Sequence, residues 1–400
     1  MSRALLEKSI NESGRASFHV SIPTVAMWEK DSKCQNVIGD ALDWCQAVAS
    51  HNVSGPCLFS DILDLLPHGT LDPLWPYSKK LEAVKESGIA TQAHCIRHGQ
   101  VCSVNKMAVF DVSGLPCPDM SVCGLRKKRA GPTAGVYLAH GKYVSRNRIP
   151  LLLIECTEDL DMGMVSDTHP DYHFHQLFSE PSDFLYNGCA RWRTWVIGTH
   201  NELTTCLIDP FALLEKVKAV LNESQEPSII KDYLVASQPE ILMEAQDLAQ
   251  KRGIPFRPGR LDLEYLLLTR EYQAMCQLNC RFREQYGKSP SEEEGLVYYL
   301  GDNPSFSASW SARSQKIPTF RVGAKSALYW LPKQKRWLTC KEKLVSMGWP
   351  CLPEIGRSLG TPLFGATDPK RASDLLGNGM HFQSSGIFQL IALSCFGPFK

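Results

Sequence analysis

The sequence lacks the features by which secreted and membrane proteins are recognised. No apolar run approaches the roughly 20 residues that a helix needs to cross a bilayer. The opening stretch, "MSRALLEKSINESG", has no apolar core of a signal peptide. The 15 cysteines are scattered and odd in number, which favours a reducing compartment. The sequence therefore predicts an intracellular protein without membrane association.

Metal-ligand spacing is also missing. No two cysteines form a CxxC pair, and none has zinc-finger spacing with histidine. Cys276 and Cys280 lie one helical turn apart, which is typical of packing. In "THPDYHFH", His173 and His175 would share one face of a strand, but with His169 they do not form a well-placed set of three ligands. We expect no metal.

Basic and acidic residues are nearly equal in number, and the formal net charge is +1. A surface that binds nucleic acid would therefore have to be local. The sequence has no internal repeat or low-complexity tract. With 400 residues, 44% of them hydrophobic, the chain can form two domains or one decorated domain.

Apolar runs separated by helical stretches dominate the first half of the chain, which indicates an α/β sheet covered on both faces. Residues 206–287 are a helical block, with Asp209 and Pro210 as a start signal and Gly253 as a stop signal. The predicted strands lie in "TVAMWEKD", "GPCLFSDILDLLP", "KMAVFDVSGLPC", "IPLLLIECTEDL" and "RWRTWVIGTH".

A proline-cysteine pair follows one of these strands, in "DVSGLPCPDMSVCGLR" at 111–126. A buried structural cysteine does not need a glycine before it and a basic loop after it. Because a cysteine thiolate is an efficient nucleophile, Cys117 is a candidate catalytic residue. The loop carries four basic residues that either face solvent or meet phosphates, namely Arg126, Lys127, Lys128 and Arg129.

Two further strands carry charged residues at their ends. Glu155 in "PLLLIE" can serve as a general acid or cap the strand. Arg191 and Arg193 in "CARWRTWVIG" are two residues apart, so on a strand they would share a face. That pair could hold Glu155, a carbonyl oxygen or a phosphate, or form surface salt bridges.

Two acids near the start suit a nucleotide-like ligand. Glu29 ends the strand of "AMWEKD", where a carboxylate can accept hydrogen bonds from ribose hydroxyls or simply face solvent. Asp61 in "FSDILDLL" can bond an adenine amino group or cap a helix. Both interpretations stay open for each residue.

The order and spacing of these stretches resemble the C5-cytosine DNA methyltransferase family. That family has "PPC" and a mobile loop, "ENV", "QxRxR", a late "RxLTxxE…GxP" and a final "GNxV". This chain has "GLPC", "IEC", "CARWR", "RWLTCKEKLVSMGWP" and "LLGNGMHFQSSGIFQLIALSCF". The resemblance implies a Rossmann-like S-adenosyl-L-methionine-dependent fold, with a catalytic core at 1–205 and 331–400. The helical and loop-rich block at 206–330 stands where the family places its target-recognition region.

The resemblance also implies the role of each candidate. The catalytic set is Cys117 as nucleophile at cytosine C6, Glu155 at N3, and Arg191 and Arg193 as the electrostatic frame. The cofactor set is Glu29, Asp61, Pro116 and Asn378. The DNA set is Arg126, Lys127, Lys128 and Arg129, which would close on DNA as the target base flips out of the duplex. We expect a monomer that is nuclear or nucleoid-associated.

The chain departs from the family at its start. The family opens with a strand and a glycine-rich turn of the form "FxGxGG", which receives the methionine part of the cofactor. Here "MSRALLEKSI" reads as the helix that normally follows that turn, so we expect the first strand and the turn to be absent from this sequence. Either the sequence is an incomplete version of a longer enzyme, or it has lost affinity for the cofactor. Cys156 and Cys189 replace the Asn of "ENV" and the Gln of "QxRxR".

Two alternatives remain beside a DNA methyltransferase. The first is a cytosine-C5 methyltransferase acting on RNA such as transfer RNA, for which Cys156 is a second candidate nucleophile. The second is a catalytically impaired protein that keeps the fold and binds DNA, as the missing glycine turn would suggest.

Overall fold

The computed structural model describes residues 2–14, 20–48, 55–121, 124, 126–321, 328–359, 375–377 and 379–399. The chain forms two compact units. The first comprises Met1–Ser179, Trp192–Ala219 and Gln383–Lys400, and the second Glu180–Arg191 and Val220–Phe382. The functional boundaries at 205/206 and 330/331 stay a prediction.

The strands, in chain order, are β1 (Ala26–Trp28), β2 (Cys57–Phe59), β3 (Gln92–Cys95), β4 (Gln100–Ser103), β5 (Phe110–Gly114), β6 (Leu151–Cys156), β7 (Tyr172–Ser179), β8 (Arg193–His200), β9 (Thr204–Cys206), β10 (Tyr298–Tyr299), β11 (Tyr329–Leu331), β12 (Arg336–Trp337) and β13 (Phe396–Pro398). The longer helices are α1 (Ser2–Glu12), α2 (Ser32–Val48), α3 (Tyr77–Glu86), α4 (Ala134–Arg146), α5 (Met162–Thr168), α6 (Pro210–Ser224), α7 (Gln238–Arg252), α8 (Thr269–Tyr286), α9 (Cys340–Ser346), α10 (Pro353–Leu359) and α11 (Phe382–Cys395).

The central sheet of the first unit has four strands in the order β5-β6-β8-β7. β5 and β6 are parallel, whereas β8 runs antiparallel to both β6 and β7. All six residues of β6 are buried, as expected for a strand covered on both faces. Helix α4 connects β5 to β6. The predicted α/β class is confirmed, with a mixed central sheet.

Three smaller sheets complete the first unit. β1 and β2 form a parallel pair, β3 and β4 an antiparallel hairpin, and β9 and β13 an antiparallel pair. The β1-β2 pair is a separate sheet from β5-β6-β8-β7. Among the residues described, no strand pairs with both β1 and β5.

Among its described residues, the second unit is mainly helical and has one three-stranded antiparallel sheet, β10-β11-β12.

The predicted helix signals are confirmed along the block that begins at 206. α6 begins at Pro210, and the Asp209 carboxylate accepts the Phe211 N–H at 3.0 Å. Gly253 ends α7 with φ 64°, a left-handed conformation that glycine adopts without strain.

The first and last residues of the stretch "RWLT…E" form a buried ion pair in the second unit. Arg336 and Glu342 form two hydrogen bonds of 2.7 Å each, and the Glu342 side chain has no solvent exposure. Thr339 caps α9, and its N–H donates to Glu342 at 2.9 Å. The Ala236 N–H also donates to this carboxylate, at 3.2 Å. These four donors offset the cost of burying the charge.

Among the described helices, none combines the length and the apolar character that a membrane crossing requires.

Candidate active site

Pro116 and Cys117 lie just after the end of β5, where the sequence predicts a nucleophile. The Cys117 carbonyl accepts hydrogen bonds from the N–H groups of Met120 and Ser121, both at 2.9 Å. This helical turn redirects the chain away from the sheet. The half-buried Cys117 packs against a core cluster that contains Met120 and Tyr137. The Tyr137 hydroxyl donates to the Pro116 carbonyl at 3.3 Å, which holds the turn in place.

Glu155 and Arg193 meet on the neighbouring strands. Glu155 pairs in register with Gly114 of β5 on one side and with Trp195 of β8 on the other. The Arg193 Nε lies 3.1 Å from the Glu155 Oε1, and both side chains are largely buried. Arg193 also donates from Nη1 to the Trp192 carbonyl at 2.7 Å. The predicted pairing of an arginine with Glu155 is therefore observed for Arg193.

Cys156 has an environment unsuited to a nucleophile. Its side chain is 1% exposed, and its Sγ lies 3.5 Å from the Tyr137 hydroxyl. Burial raises the pKa of the Cys156 thiol to about 11, with smaller contributions from the charges of Cys117 and Glu155. A neutral, enclosed thiol is a poor nucleophile. Of the two candidate cysteines, Cys117 is the more accessible.

Arg191 does not lie on the strand on which the sequence places it. β8 begins at Arg193, so the expectation that the two arginines share a strand face is wrong. Arg191 belongs to the second unit, where its Nη2 donates to the Gly379 carbonyl at 2.6 Å. Burial, followed by the charge of Arg191, lowers the pKa of His381 to about 3. The catalytic role of Arg191 stays a prediction.

The loop after Cys117 is fastened by Asp119, which is 1% exposed. Its carboxylate accepts from the Thr133 N–H at 3.0 Å and from the Thr133 hydroxyl at 2.6 Å. At Gly131, a Cβ atom would lie 2.0 Å from the Asp119 carboxyl carbon, so this close approach requires glycine. The Lys128 N–H donates to the Asp119 carbonyl at 3.0 Å. These contacts hold the chain at Asp119 before the basic residues and at Gly131 and Thr133 after them.

The four basic residues of this loop differ in their surroundings. Arg129 donates to Asp161 at 2.9 Å and to Asp167 at 2.8 Å, so its charge is largely matched within the chain. Arg126, Lys127 and Lys128 are exposed. Arg126 has one acidic neighbour, Asp159, at 3.8 Å.

Glu29 and Asp61 follow the paired parallel strands β1 and β2, at the same edge of that sheet. The Glu29 carboxylate accepts the Asp31 N–H at 2.8 Å, and the Asp61 carboxylate caps a short 3-10 helix through the Leu63 N–H at 3.0 Å. The capping interpretation is thus observed for Asp61, and its bond to a ligand stays a prediction. Asn378 lies outside the described residues.

The sequence did not predict a polar network that joins β5 to neighbouring helices. The His140 Nε2 lies 3.1 Å from Asp111 and 3.0 Å from the Ser113 hydroxyl, and its Nδ1 lies 2.9 Å from the Nε2 of His169. Burial alone would raise the pKa of Asp111, but His140 and Ser113 lower it overall. Burial lowers the pKa of His169 to about 3. Polar residues alternating in "DVS" on an apolar strand were the available signal.

The network ties β5 to helices α4 and α5, because His140 lies on α4 and His169 follows α5. It positions the strand from which Cys117 emerges. His169 is therefore internal, whereas His173 and His175 lie on β7, at the edge of the sheet, with ring centroids 4.9 Å apart.

No family model matches the sequence, and no curated protein matches it. Solved structures similar to the chain include the Dnmt2 methyltransferase of S. pombe, at 11% identity and a TM-score of 0.45, covering 98% of this chain and 94% of that one. A mutant of Spodoptera frugiperda DNMT2 aligns at 11% identity and a TM-score of 0.41, covering 97% of this chain and 96% of that one. The Entamoeba histolytica methyltransferase EhMeth aligns at 13% identity and a TM-score of 0.40, covering 92% and 98%. At TM-scores below 0.5, these likenesses support no conclusion about the activity of this chain.

Proposed function

We propose that this chain is a C5-cytosine methyltransferase-like protein that acts on DNA, with Cys117 as its nucleophile. The observation that carries the proposal is that β5, which leads to Cys117, pairs at its last residue, Gly114, with Glu155, which in turn is bound by Arg193. A nucleophile beside a carboxyl group held by a guanidinium fits the chemistry of cytosine, whose C5 carbon is unreactive until C6 is attacked.

The residues of this chain would divide the reaction as follows. The Cys117 thiolate forms a bond to C6, and the electrons of the C5–C6 double bond move onto C5. Glu155 donates a proton or hydrogen bond to N3 and stabilises the adduct. Arg193 holds the Glu155 carboxyl group in a fixed orientation. Once C5 carries the methyl group, its proton passes to a base such as water, the C5–H electrons re-form the C5–C6 double bond, and the C6–sulfur bond breaks to free the thiolate.

S-adenosyl-L-methionine is the cofactor that this chemistry implies, and it would supply the methyl group. Part of the chain fits it, since Glu29 and Asp61 place two carboxylates at one edge of the β1-β2 pair for the ribose and the adenine. Pro116 and Asn378 are further proposed contacts. The methionine part has no visible cradle in the described residues before β1, because residues 2–12 form α1 and Gly14, with φ 64°, follows that helix.

A second candidate function is a DNA-binding protein with impaired turnover. Isothermal titration calorimetry with S-adenosyl-L-methionine separates the two. Cofactor binding supports the enzyme, whereas retained DNA affinity without cofactor binding supports the impaired protein.

The Cys117→Ser substitution is expected to abolish methyl transfer and covalent adducts, because a hydroxyl is a far weaker nucleophile than a thiolate at neutral pH. Duplex DNA containing 5-fluorocytosine tests this, since fluorine at C5 blocks the proton loss that releases the enzyme. With the cofactor added, the unmodified chain should shift on a denaturing gel, and the variant should not.

Cys156→Ser is the matched control, and this variant should still form the adduct because its thiol is enclosed. An adduct that depends on Cys156 rather than Cys117 would contradict the assignment. The same trapping experiment with single-stranded RNA carrying 5-fluorocytidine compares the two substrates. An adduct with RNA but not with DNA would show that the substrate is RNA.

Replacing both Lys127 and Lys128 with Gln is expected to weaken DNA binding and flatten its dependence on salt. Each phosphate contact contributes about 0.9 to the slope of log affinity against log salt, so losing two should lower it by about 1.8. Arg129 is left intact because Asp161 and Asp167 hold it. The control replaces the exposed Lys79 and Lys85 of α3 with Gln, and fluorescence anisotropy across salt concentrations measures the slopes. Equal slopes in the two variants would place the loop away from DNA.

A further inference from the structure

Four potential metal ligands converge in the first unit, and none of them belongs to the candidate active site. We name them the Cys₃His cluster, which consists of Cys57, Cys95, His98 and Cys102. Their ligand atoms, three Sγ and one ring nitrogen, all lie within 4.8 Å of one another. We propose that this cluster binds a zinc ion that fastens the β3-β4 hairpin to β2.

The elements explain how distant residues meet. Cys57 begins β2, Cys95 ends β3 and Cys102 lies on β4, while His98 stands in the turn between β3 and β4. Gly99 has φ 61°, which glycine adopts without strain, and its N–H donates to the Cys95 carbonyl at 2.9 Å to close the turn. The Ile96 N–H donates to the Leu58 carbonyl at 2.8 Å and brings the hairpin against β2.

The three distances from the histidine nitrogen to the sulfur atoms are compatible with a tetrahedral zinc site. The Nδ1 of His98 lies 3.3 Å from the Sγ of Cys95, 3.5 Å from that of Cys102 and 3.6 Å from that of Cys57. Zinc bonds of about 2.3 Å to sulfur and about 2.1 Å to nitrogen, at the tetrahedral angle, separate the two ligand atoms by about 3.6 Å. The four side chains are therefore placed as if around a common centre.

Hydrogen bonding alone does not account for this arrangement. A single ring nitrogen carries either one hydrogen or one lone pair in the ring plane, so it makes one well-directed hydrogen bond. Here three sulfur atoms surround the same nitrogen. A disulfide would use only two of the three cysteines, and all three are free thiols. A metal ion engages every member of the cluster.

The ligand chemistry favours zinc over other cations. Three thiolates and one imidazole form a soft donor set, which suits zinc and excludes magnesium and calcium. The site would carry a net charge of about −1, since three thiolates outweigh one divalent cation. The positive charge of Lys106 acts to lower the pKa of Cys57 and would offset this charge.

Four protein ligands leave no open position, so the site would be structural rather than catalytic. A structural role fits the local architecture. The β1-β2 sheet has only two strands of three residues each, which is too small to be stable by itself. Zinc would anchor β2, and with it the strand end that leads to Asp61. Cys57 and Cys95 are buried, whereas His98 is exposed, so the metal can enter from the solvent side.

This proposal differs from the expectation of no metal, which stays a prediction from the sequence. The spacing within "CIRHGQVC" is Cys-x₂-His-x₃-Cys, which is close to zinc-ligand spacing but has histidine in place of the second cysteine. The fourth ligand, Cys57, lies far away in sequence, so the pattern is visible only once β2 and the hairpin are placed together.

The test begins with the full chain purified under reducing conditions and without added chelator. Elemental analysis should find one zinc per chain. After the zinc is exchanged for Co²⁺, the visible d–d bands of tetrahedral cobalt and a thiolate-to-cobalt charge-transfer band should appear. Removing the zinc with a chelator should lower the thermal midpoint of unfolding, and adding Zn²⁺ back should restore it.

Variants make the assignment specific. His98→Ala should lose the stoichiometric metal, whereas His98→Cys should retain it as a four-cysteine site. Cys280→Ser, on the exposed face of α8, should bind zinc as the unmodified chain does. Absence of metal and of the cobalt spectrum from the folded, unmodified chain would overturn the proposal, as would a cobalt spectrum unchanged in His98→Ala. Because the cobalt measurement on the unmodified chain needs no variant, a poorly folding variant leaves the test intact.

Discussion

Replacing Glu155 with Gln is expected to slow methyl transfer by about 10²–10⁴-fold, the usual contribution of one general acid. The amide keeps the shape of the side chain, can still accept from Arg193 and can still form a hydrogen bond, but it cannot transfer a proton to cytosine N3. The negative charge that develops in the ring after the attack by Cys117 would then lack its partner. Single-turnover transfer of a labelled methyl group to DNA measures the chemical step directly.

Glu158→Gln is the matched control, because Glu158 is exposed just after the same strand, β6. This variant should transfer methyl groups at the unmodified rate. The thermal midpoint of each variant separates a chemical effect from the loss of the Glu155–Arg193 ion pair. A folded Glu155→Gln variant with the normal rate would show that Glu155 serves only to hold Arg193.

Truncating Arg336 to Ala is expected to lower the free energy of unfolding by about 3–5 kcal/mol, the usual cost of breaking a buried ion pair. The substitution leaves the Glu342 carboxylate buried without its two strongest donors, although the N–H groups of Thr339 and Ala236 remain. Chemical denaturation followed by circular dichroism measures the change.

Arg357→Ala tests whether burial is the cause. Arg357 pairs with Glu354 at 3.7 Å, and both side chains are more than 70% exposed, so its loss should cost less than about 1 kcal/mol. Equal losses in the two variants would contradict the assigned role of the buried pair.

The sequence predicted those residues of the candidate site that follow strands with long apolar runs. β6 is buried throughout, and so the position of Glu155 at its end could be read directly. The position of Cys117 followed from the glycine and proline before it. The sequence placed Arg191 on a strand, where alternate side chains share a face, but β8 begins only at Arg193. That start is set by pairing with β7, which the local sequence does not encode.

Features that depend on tertiary contact escaped the sequence. The His140–Asp111 pair joins residues of α4 and β5, and the Cys₃His cluster joins β2 to a hairpin that was not predicted. The strands of that hairpin are short and largely exposed, so they lack the apolar alternation that marks a strand.

The first unit has a consequence for the order in which the chain folds. Its β13 pairs with β9, and Phe388 of α11 stacks on Trp195 of β8 at 4.5 Å between ring centroids. These partners are separated by about 190 residues, and Val220–Phe382 of the second unit make up most of that interval. A ribosome adding about 5–20 residues per second needs about 10–40 s to make that interval. The contact between Phe388 and Trp195 can therefore form only after the residues of the second unit have been synthesised.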